Sequence, residues 1–131
     1  SYCVDAGGDI RVRGKGEALR VGLEDPYDFG QVIGVAYLEN QSICGSAGNR
    51  RRWGDYHHII DPFSLTSVEE ISAVWVVAGT TMLADALSTC LFFVPPEKLL
   101  KYYVFEYTIM YRDYSVRRSE GFEGEFFLEC I

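Results

Sequence analysis

Oxygen-bearing side chains interrupt an apolar helical pattern in the segment 81–93. Asp85, Ser88 and Thr89 follow the spacing i, i+3 and i+4, so a helix places all three on one face. An ionised carboxylate on such a helix needs a partner, and a hard cation that takes oxygen ligands is one. The alternative is that Asp85 meets an arginine or backbone donors while Thr89 bonds back to its own helix. The spacing alone leaves both interpretations open.

A pair of histidines offers a second place for chemistry. His57 and His58 adjoin Ile59, Ile60, Asp61 and Pro62, a pattern that predicts a short strand stopped by the proline. Neighbouring strand residues point to opposite faces, so one histidine faces inward. It is either a hydrogen-bonded core residue or a group that contacts a ligand or transfers a proton.

Two glycine-containing segments suit a nucleotide. Gly7 and Gly8 permit a close backbone approach or positive φ, and Asp9 beside them accepts hydrogen bonds from a ribose or base. The alternative is a β-bulge with a solvated aspartate. In 44–53, small residues precede three arginines, an arrangement that fits either a diphosphate site or a solvated charged edge.

The elements that must position these residues are mostly strands. The pattern predicts a strand that kinks at Gly7 and Gly8, a hairpin-like turn at 14–16 and a return strand over 18–22. It then predicts a strand over 32–38, an irregular stretch over 42–48 and short strand 56–60. Further along the chain, the pattern predicts a strand buried on both faces over 71–77 and a helix that is capped by Thr80 or Thr81 and runs to about Val94. It then predicts a short helical turn over 97–100 and a hairpin of 102–111 with 114–118. The chain is therefore predicted to be a single α+β domain, 1–131, with a mainly antiparallel sheet, one buried apolar helix and a C-terminal hairpin.

Composition excludes several classes of protein. The 131 residues carry a formal net charge of −7 and are 48% hydrophobic, which supports a folded core but no positive field for nucleic acid. No apolar run reaches the roughly 20 residues of a transmembrane segment. The four cysteines form no C-x-x-C pair, so we expect small buried hydrophobic residues, with disulfides possible in an oxidising compartment.

Three motifs together resemble one family. Gly7-Gly8-Asp9, His58-Ile59-Ile60-Asp61-Pro62 and Ala84-Asp85-Ala86-Leu87-Ser88-Thr89 occur in the order found in ApbE-type FAD:protein FMN transferases. The resemblance implies an ApbE-like fold and Mg2+ ligation by the Asp85 carboxylate, the Ser88 main-chain carbonyl and the Thr89 hydroxyl. It also implies that Gly7, Gly8, Asp9, Ser46 and His58 bind the nucleotide, with Asp9 and His58 as catalytic groups that handle a proton.

The chain also departs from the family pattern. Ser46 stands where the family has the threonine of T-S-G, Ala47 replaces its serine, and Phe63-Ser64-Leu65 replaces an x-T-G turn. Family members carry a further N-terminal stretch with a G-x-A-K-G segment. We therefore expect the chain to correspond to the C-terminal half and to need the N-terminal half of the same enzyme for activity.

The resemblance implies a function and partners. The expected reaction is Mg2+-dependent transfer of FMN from FAD to a Thr or Ser hydroxyl of an acceptor flavoprotein, with release of AMP. The alternatives are hydrolysis of FAD to FMN and AMP at the same site, and a non-catalytic flavin-binding or structural module. The family resemblance suggests the bacterial cell envelope or periplasm, and leaves the cytoplasm open.

Overall fold

A computed structural model describes residues 1–14, 16–48, 52–53, 56–57, 70–128 and 130–131. Its first strands, in chain order, are β1 (Tyr2–Asp5), β2 (Ile10–Arg13), β3 (Leu19–Glu24), β4 (Val32–Leu38), β5 (Ser42–Ala47), β6 (Arg52–Trp53), β7 (Tyr56–His57) and β8 (Ile71–Ala78). The helices α1 (Thr81–Cys90) and α2 (Pro96–Leu99) follow, and then the strands β9 (Phe105–Tyr111), β10 (Val116–Arg118) and β11 (Gly124–Phe126).

A six-stranded antiparallel sheet forms the centre of the molecule, in the order β1-β2-β5-β8-β9-β10. β8 lies inside it and is buried along almost its whole length, as an apolar strand rich in β-branched residues should be. This confirms the predicted doubly buried strand. β9 and β10 form the predicted hairpin.

The two faces of this sheet are covered by different elements. A three-stranded sheet in the order β11-β4-β3 lies on one face, and its core includes Leu23, Leu38 and Phe122. Helix α1 packs on the other face through Ala84 and Leu87. The fold is therefore α+β with mainly antiparallel sheets, one principal helix and a C-terminal hairpin, as the sequence predicts.

Helix α1 begins where its sequence provides a cap. The Thr80 hydroxyl accepts a hydrogen bond from the Leu83 N–H at 3.3 Å. The regular helix ends at Cys90, one turn before the predicted end at Val94. Neither helix in the described part of the chain has the length and apolar character needed to cross a lipid bilayer.

Two sequence-based predictions about the strands were wrong. The first hairpin turns at Gly7 and Gly8, which have φ of +72° and +106°, and β2 pairs with β1 and β5, whereas β3 pairs with β4. The stretch 42–48, predicted to be irregular, contains β5, which pairs with β8 along its whole length. Its small residues are required there because α1 and a tryptophan lie directly against this strand.

The burial prediction for the cysteines holds only for Cys44. Cys3, Cys90 and Cys130 are exposed, and all four are free thiols. Their spacing along the chain carried no information about which strand or helix face each would occupy.

Candidate functional site

A cleft of about 480 Å3 opens where β5 continues beyond the end of β2. The β1–β2 turn, strands β3, β5 and β8, and helix α1 all contribute to its walls. Its lining residues are Gly7, Gly8, Asp9, Ile10, Val21, Gly22, Glu24, Ile43, Gly45, Ser46, Ala47, Trp75, Asp85 and Thr89. Three predicted segments, distant in sequence, therefore meet in one cavity.

The β1–β2 turn forms one wall and is fixed by its own hydrogen bonds. The Gly8 N–H donates to the Asp5 carboxylate at 2.9 Å, and the Ala6 N–H donates to the Asp9 carbonyl at 3.0 Å. Both glycines have positive φ, which a residue with a Cβ adopts only at a cost in energy. The turn holds the half-buried Asp9 at the cleft.

Three hydroxyl groups link β5 to α1 in a directed chain. The Ser88 hydroxyl donates to the Asp85 main-chain carbonyl at 2.8 Å. A hydroxyl has one proton, so the Ser46 hydroxyl must donate to Ser88, from which it lies 2.8 Å. Thr89, whose Oγ1 lies 3.3 Å from Ser46 Oγ, must then donate to Ser46. The Thr89 oxygen therefore directs lone pairs, and no proton, toward the cleft.

The main-chain carbonyl of Ser88 also loses its helical partner. In a continuing α-helix the Phe92 N–H would donate to Ser88, but it donates to the Thr89 carbonyl at 3.1 Å. Helix α1 changes to tighter turns at this point. Ser88 is a fully buried residue, and its hydroxyl is engaged by the Asp85 carbonyl and the Ser46 hydroxyl, which leaves its carbonyl as the oxygen without a helical partner.

The cleft carries a concentration of negative charge. Asp9, Glu24 and Asp85 line it, and its lining contains no lysine or arginine among the described residues. The Asp85 side chain is exposed and makes no hydrogen bond or ion pair within the described part of the chain. The described lining by itself would repel a diphosphate that no cation accompanied.

Cys44 lies below the cleft, and the carboxylates of the cleft affect its pKa. Its thiol donates to the Thr81 carbonyl at 3.5 Å. Burial raises the pKa of the Cys44 thiol well above its ordinary value, and the carboxylates of Asp9 and Asp85 raise it further. Cys44 is therefore a neutral thiol and not a nucleophile of this site.

Trp75 is a cleft residue that the sequence analysis missed. It lies opposite Gly45 in the pairing of β8 with β5. A Cβ at Gly45 would lie 2.9 Å from the indole Cδ1, so the indole takes the space that a side chain on β5 would occupy. Only knowledge of the strand register could have paired this glycine with this tryptophan, because the sequence shows each of them separately.

The structure brings together most of the predicted site residues. Gly7, Gly8, Asp9, Ser46, Asp85 and Thr89 line the cleft, and Ser88 lies beneath it. His58 lies outside the described residues, as do Arg50 and Arg51. In the described ranges, no group of three or more His, Cys, Asp or Glu residues could hold a metal ion. An ion at this cleft would therefore be held by fewer than three such side chains, with neutral oxygens completing its shell.

Comparisons with known proteins agree on one family. The family model described as the ApbE family matches residues 1–109. The FAD:protein FMN transferase of Haemophilus influenzae is 32% identical over 111 residues, which cover 77% of this chain and 32% of that protein.

Solved structures show the same fold. The ApbE protein of Thermotoga maritima is 27% identical with a TM-score of 0.78, over 91% of this chain and 42% of that one. The flavin transferase ApbE of Vibrio cholerae superimposes with a TM-score of 0.65 at 20% identity, over 97% of this chain and 41% of that one. The chain thus spans less than half the length of each of these relatives.

Proposed function

The chain belongs to the ApbE family, and on that premise we propose that its cleft binds FAD together with Mg2+. In this proposal the chain contributes part of a site that transfers FMN from FAD to a Thr or Ser hydroxyl of an acceptor flavoprotein and releases AMP. The observation that carries the proposal is that Asp85 and Thr89, about one turn apart on α1, line the same cleft, while the neighbouring Ser88 carbonyl lacks its hydrogen bond from Phe92.

These oxygens fit the needs of Mg2+. Mg2+ prefers oxygen ligands and usually keeps several waters or phosphate oxygens in its coordination shell. Asp85 supplies a carboxylate with no described partner, Ser88 a carbonyl without its helical bond, and Thr89 an oxygen whose proton is committed to Ser46. When bound, Mg2+ neutralises the diphosphate and stabilises the charge that develops on the departing AMP phosphate.

The proposed transfer step makes one bond and breaks one bond at phosphorus. The acceptor hydroxyl oxygen forms a bond to the phosphorus of the FMN half of FAD. The bond from that phosphorus to the bridging oxygen breaks, and AMP leaves with the electron pair. We assign the proton of the acceptor hydroxyl to the Asp9 carboxylate, which lines the cleft. His58 is the second proposed proton-handling residue.

Three protein oxygens leave about half of an octahedral shell to be filled. The relatives are much longer than the segment that matches this chain. We therefore propose that efficient turnover needs the N-terminal half found in those relatives, and that this half supplies the rest of the closed site.

The test measures AMP release from FAD and flavin attachment to an acceptor in the presence of Mg2+. The 131-residue chain alone should be far slower than a polypeptide that adds the N-terminal half of a relative. Flavin on the acceptor supports transfer, whereas AMP release without attachment indicates hydrolysis of FAD. Full activity of the 131-residue monomer would contradict the need for another half.

A further inference from the structure

Strand β5 pairs with β2 on one edge and with β8 on the other at Ser42 and Ile43. From Cys44 to Ala47, the pairing with β8 continues and the pairing with β2 does not. The Val12 N–H donates to the Gln41 carbonyl at 2.9 Å, and the register continues with Ile10 opposite Ile43. In an antiparallel ladder, bonded pairs recur at every second residue. On this strand, the odd-numbered residues therefore direct their N–H and C=O groups toward β2.

Strand β2 does not extend far enough to pair with the last odd-numbered residues of β5. Its pairing with β5 stops at Ile10 and Ile43, because the chain reverses at Gly7 and Gly8. The pairing of β5 with β8 continues without a bulge to Ala47. The main-chain N–H and C=O groups of Gly45 and Ala47 consequently lie in the plane of the sheet and point away from β8. No described strand pairs with them on that side. Both residues line the cleft.

This edge presents the Gly45 carbonyl as an acceptor and, beside it, the Ala47 N–H as a donor. The pair is complementary to a ring that has an N–H donor next to an acceptor. The pair N6–H and N1 of adenine has this pattern, and so has N3–H with its neighbouring carbonyl in isoalloxazine. Ile10, Val21 and Trp75 line the same cavity and provide apolar surface for the faces of a planar ring.

We infer that the open main-chain edge of Gly45 and Ala47 recognises the heterocyclic ring of the bound nucleotide. The Gly45 carbonyl accepts from the ring N–H, and the Ala47 N–H donates to the adjacent ring acceptor. This inference rests on the proposed function and adds to it the part of the cleft that selects the ring. It also explains how Ala47 takes part in binding without the hydroxyl that family members carry at this position.

The decisive substitution is Ala47→Pro, which removes one N–H from the edge. Proline is tolerated in an edge strand where its nitrogen faces away from the ladder. The variant should therefore fold like the parent and bind FAD with Mg2+ about tenfold more weakly, because one hydrogen bond is lost. Ala47→Val keeps the N–H and changes only the side chain, so it should bind FAD more tightly than Ala47→Pro does, whereas Phe127→Ala, at an exposed side chain outside the cleft, should bind like the parent.

Ring analogues identify which heterocycle occupies the edge. AMP is compared with purine riboside 5′-monophosphate, which lacks the N6 amino group, and FMN is compared with N3-methyl FMN. Both analogues remove the ring N–H that donates to the Gly45 carbonyl, so the pair whose modified member binds more weakly to the parent names the ring. Amide hydrogen exchange provides a second readout: the N–H of Ala47 should exchange fast without nucleotide and slowly with it.

The outcomes separate the inference from the proposed function. If FAD binding depends on Mg2+ and Asp85 but Ala47→Pro binds FAD like the parent, the inference is wrong and the function stands. Unfolding of Ala47→Pro would show that its N–H is bonded within the fold, which also overturns the inference. If the parent binds neither FAD nor its halves with Mg2+, the proposed function is wrong, and the inference is wrong with it.

Discussion

The two faces of the six-stranded sheet make contact with their neighbours in different ways. On the face toward β3, β4 and β11, the contact is made by fully buried apolar side chains such as Leu38, Ile43 and Phe122. On the other face, where α1 crosses β5, the contact includes hydroxyl pairs: Ser42 with Thr81 at 2.8 Å, and Ser46 with Ser88 at 2.8 Å. Strand β5 serves both faces, because its side chains alternate between them.

This difference separates stability from ligand binding. Apolar burial has no direction, so the first face stabilises the fold without aligning any polar group. Hydroxyl pairs have a donor and an acceptor, so the second face fixes which way the protons at the cleft point. We expect substitutions on the two faces to separate loss of stability from loss of metal binding.

The largest effect on stability is expected for Phe122→Ala. Phe122 is 1% exposed, and a buried Phe→Ala change leaves a cavity that costs about 3–5 kcal/mol. Urea unfolding should show this loss, whereas Phe127→Ala, at a side chain that is 60% exposed, should change stability by less than about 0.5 kcal/mol. Equal stability of the two variants would mean that the apolar face does not carry the fold.

Ser46→Ala is expected to act mainly on the metal. Without Ser46, Thr89 loses the acceptor for its proton, and changes in such a supporting residue typically lower metal affinity by about 10–100-fold. The affinity for Mn2+, used as a paramagnetic substitute for Mg2+, can be measured in the presence of FAD. Ser46→Thr keeps a hydroxyl and should restore binding. Unchanged affinity in Ser46→Ala would show that the hydroxyl chain has no part in orienting Thr89.

Ser42→Ala tests the hydroxyl pair that lies away from the cleft. Its loss leaves Thr81 without its partner and should cost about 1 kcal/mol of unfolding free energy. Mn2+ affinity should stay at the parent value, because Ser42 does not line the cleft. A parallel fall in Mn2+ affinity would mean that the whole contact between β5 and α1 shapes the site.

The smallest effect is expected in thiol chemistry. Cys44 is buried on the α1 face, and its pKa is raised by burial and by nearby carboxylates, so it should resist iodoacetamide at neutral pH. Cys3, Cys90 and Cys130 are exposed and should be alkylated in the folded protein. Mass spectrometry of the modified peptides gives the answer. Fast labelling of Cys44 would show that α1 separates readily from β5.

The sequence allowed prediction of the elements that have a strong local pattern. The cap at Thr80, the apolar strand β8 and the hairpin of β9 with β10 each follow from neighbouring residues. The pairing of β2 with β5 and the strand nature of β5 could not be predicted. Both depend on contacts across the sheet, such as Gly45 against Trp75, that no local window contains.

The same distinction applies to the site. The i, i+3, i+4 spacing was enough to group Asp85, Ser88 and Thr89, because one helix positions them. The direction of the hydroxyl chain depends on the contact of β5 with α1. The open edge at Gly45 and Ala47 depends on how far β2 extends along β5. That length is set by where the glycine turn reverses the chain, which is a property of the assembled sheet.

The central claim is tested most directly by titrating FAD into the parent chain and into Asp85→Asn, each with and without Mg2+. Asp85→Asn keeps the size of the side chain and removes its charge. The parent should bind FAD at least about tenfold more tightly with Mg2+, which corresponds to about 1.4 kcal/mol, and the variant should show no response to Mg2+. If Asp85→Asn responds to Mg2+ as the parent does, the metal does not bind at this cleft and the account is wrong.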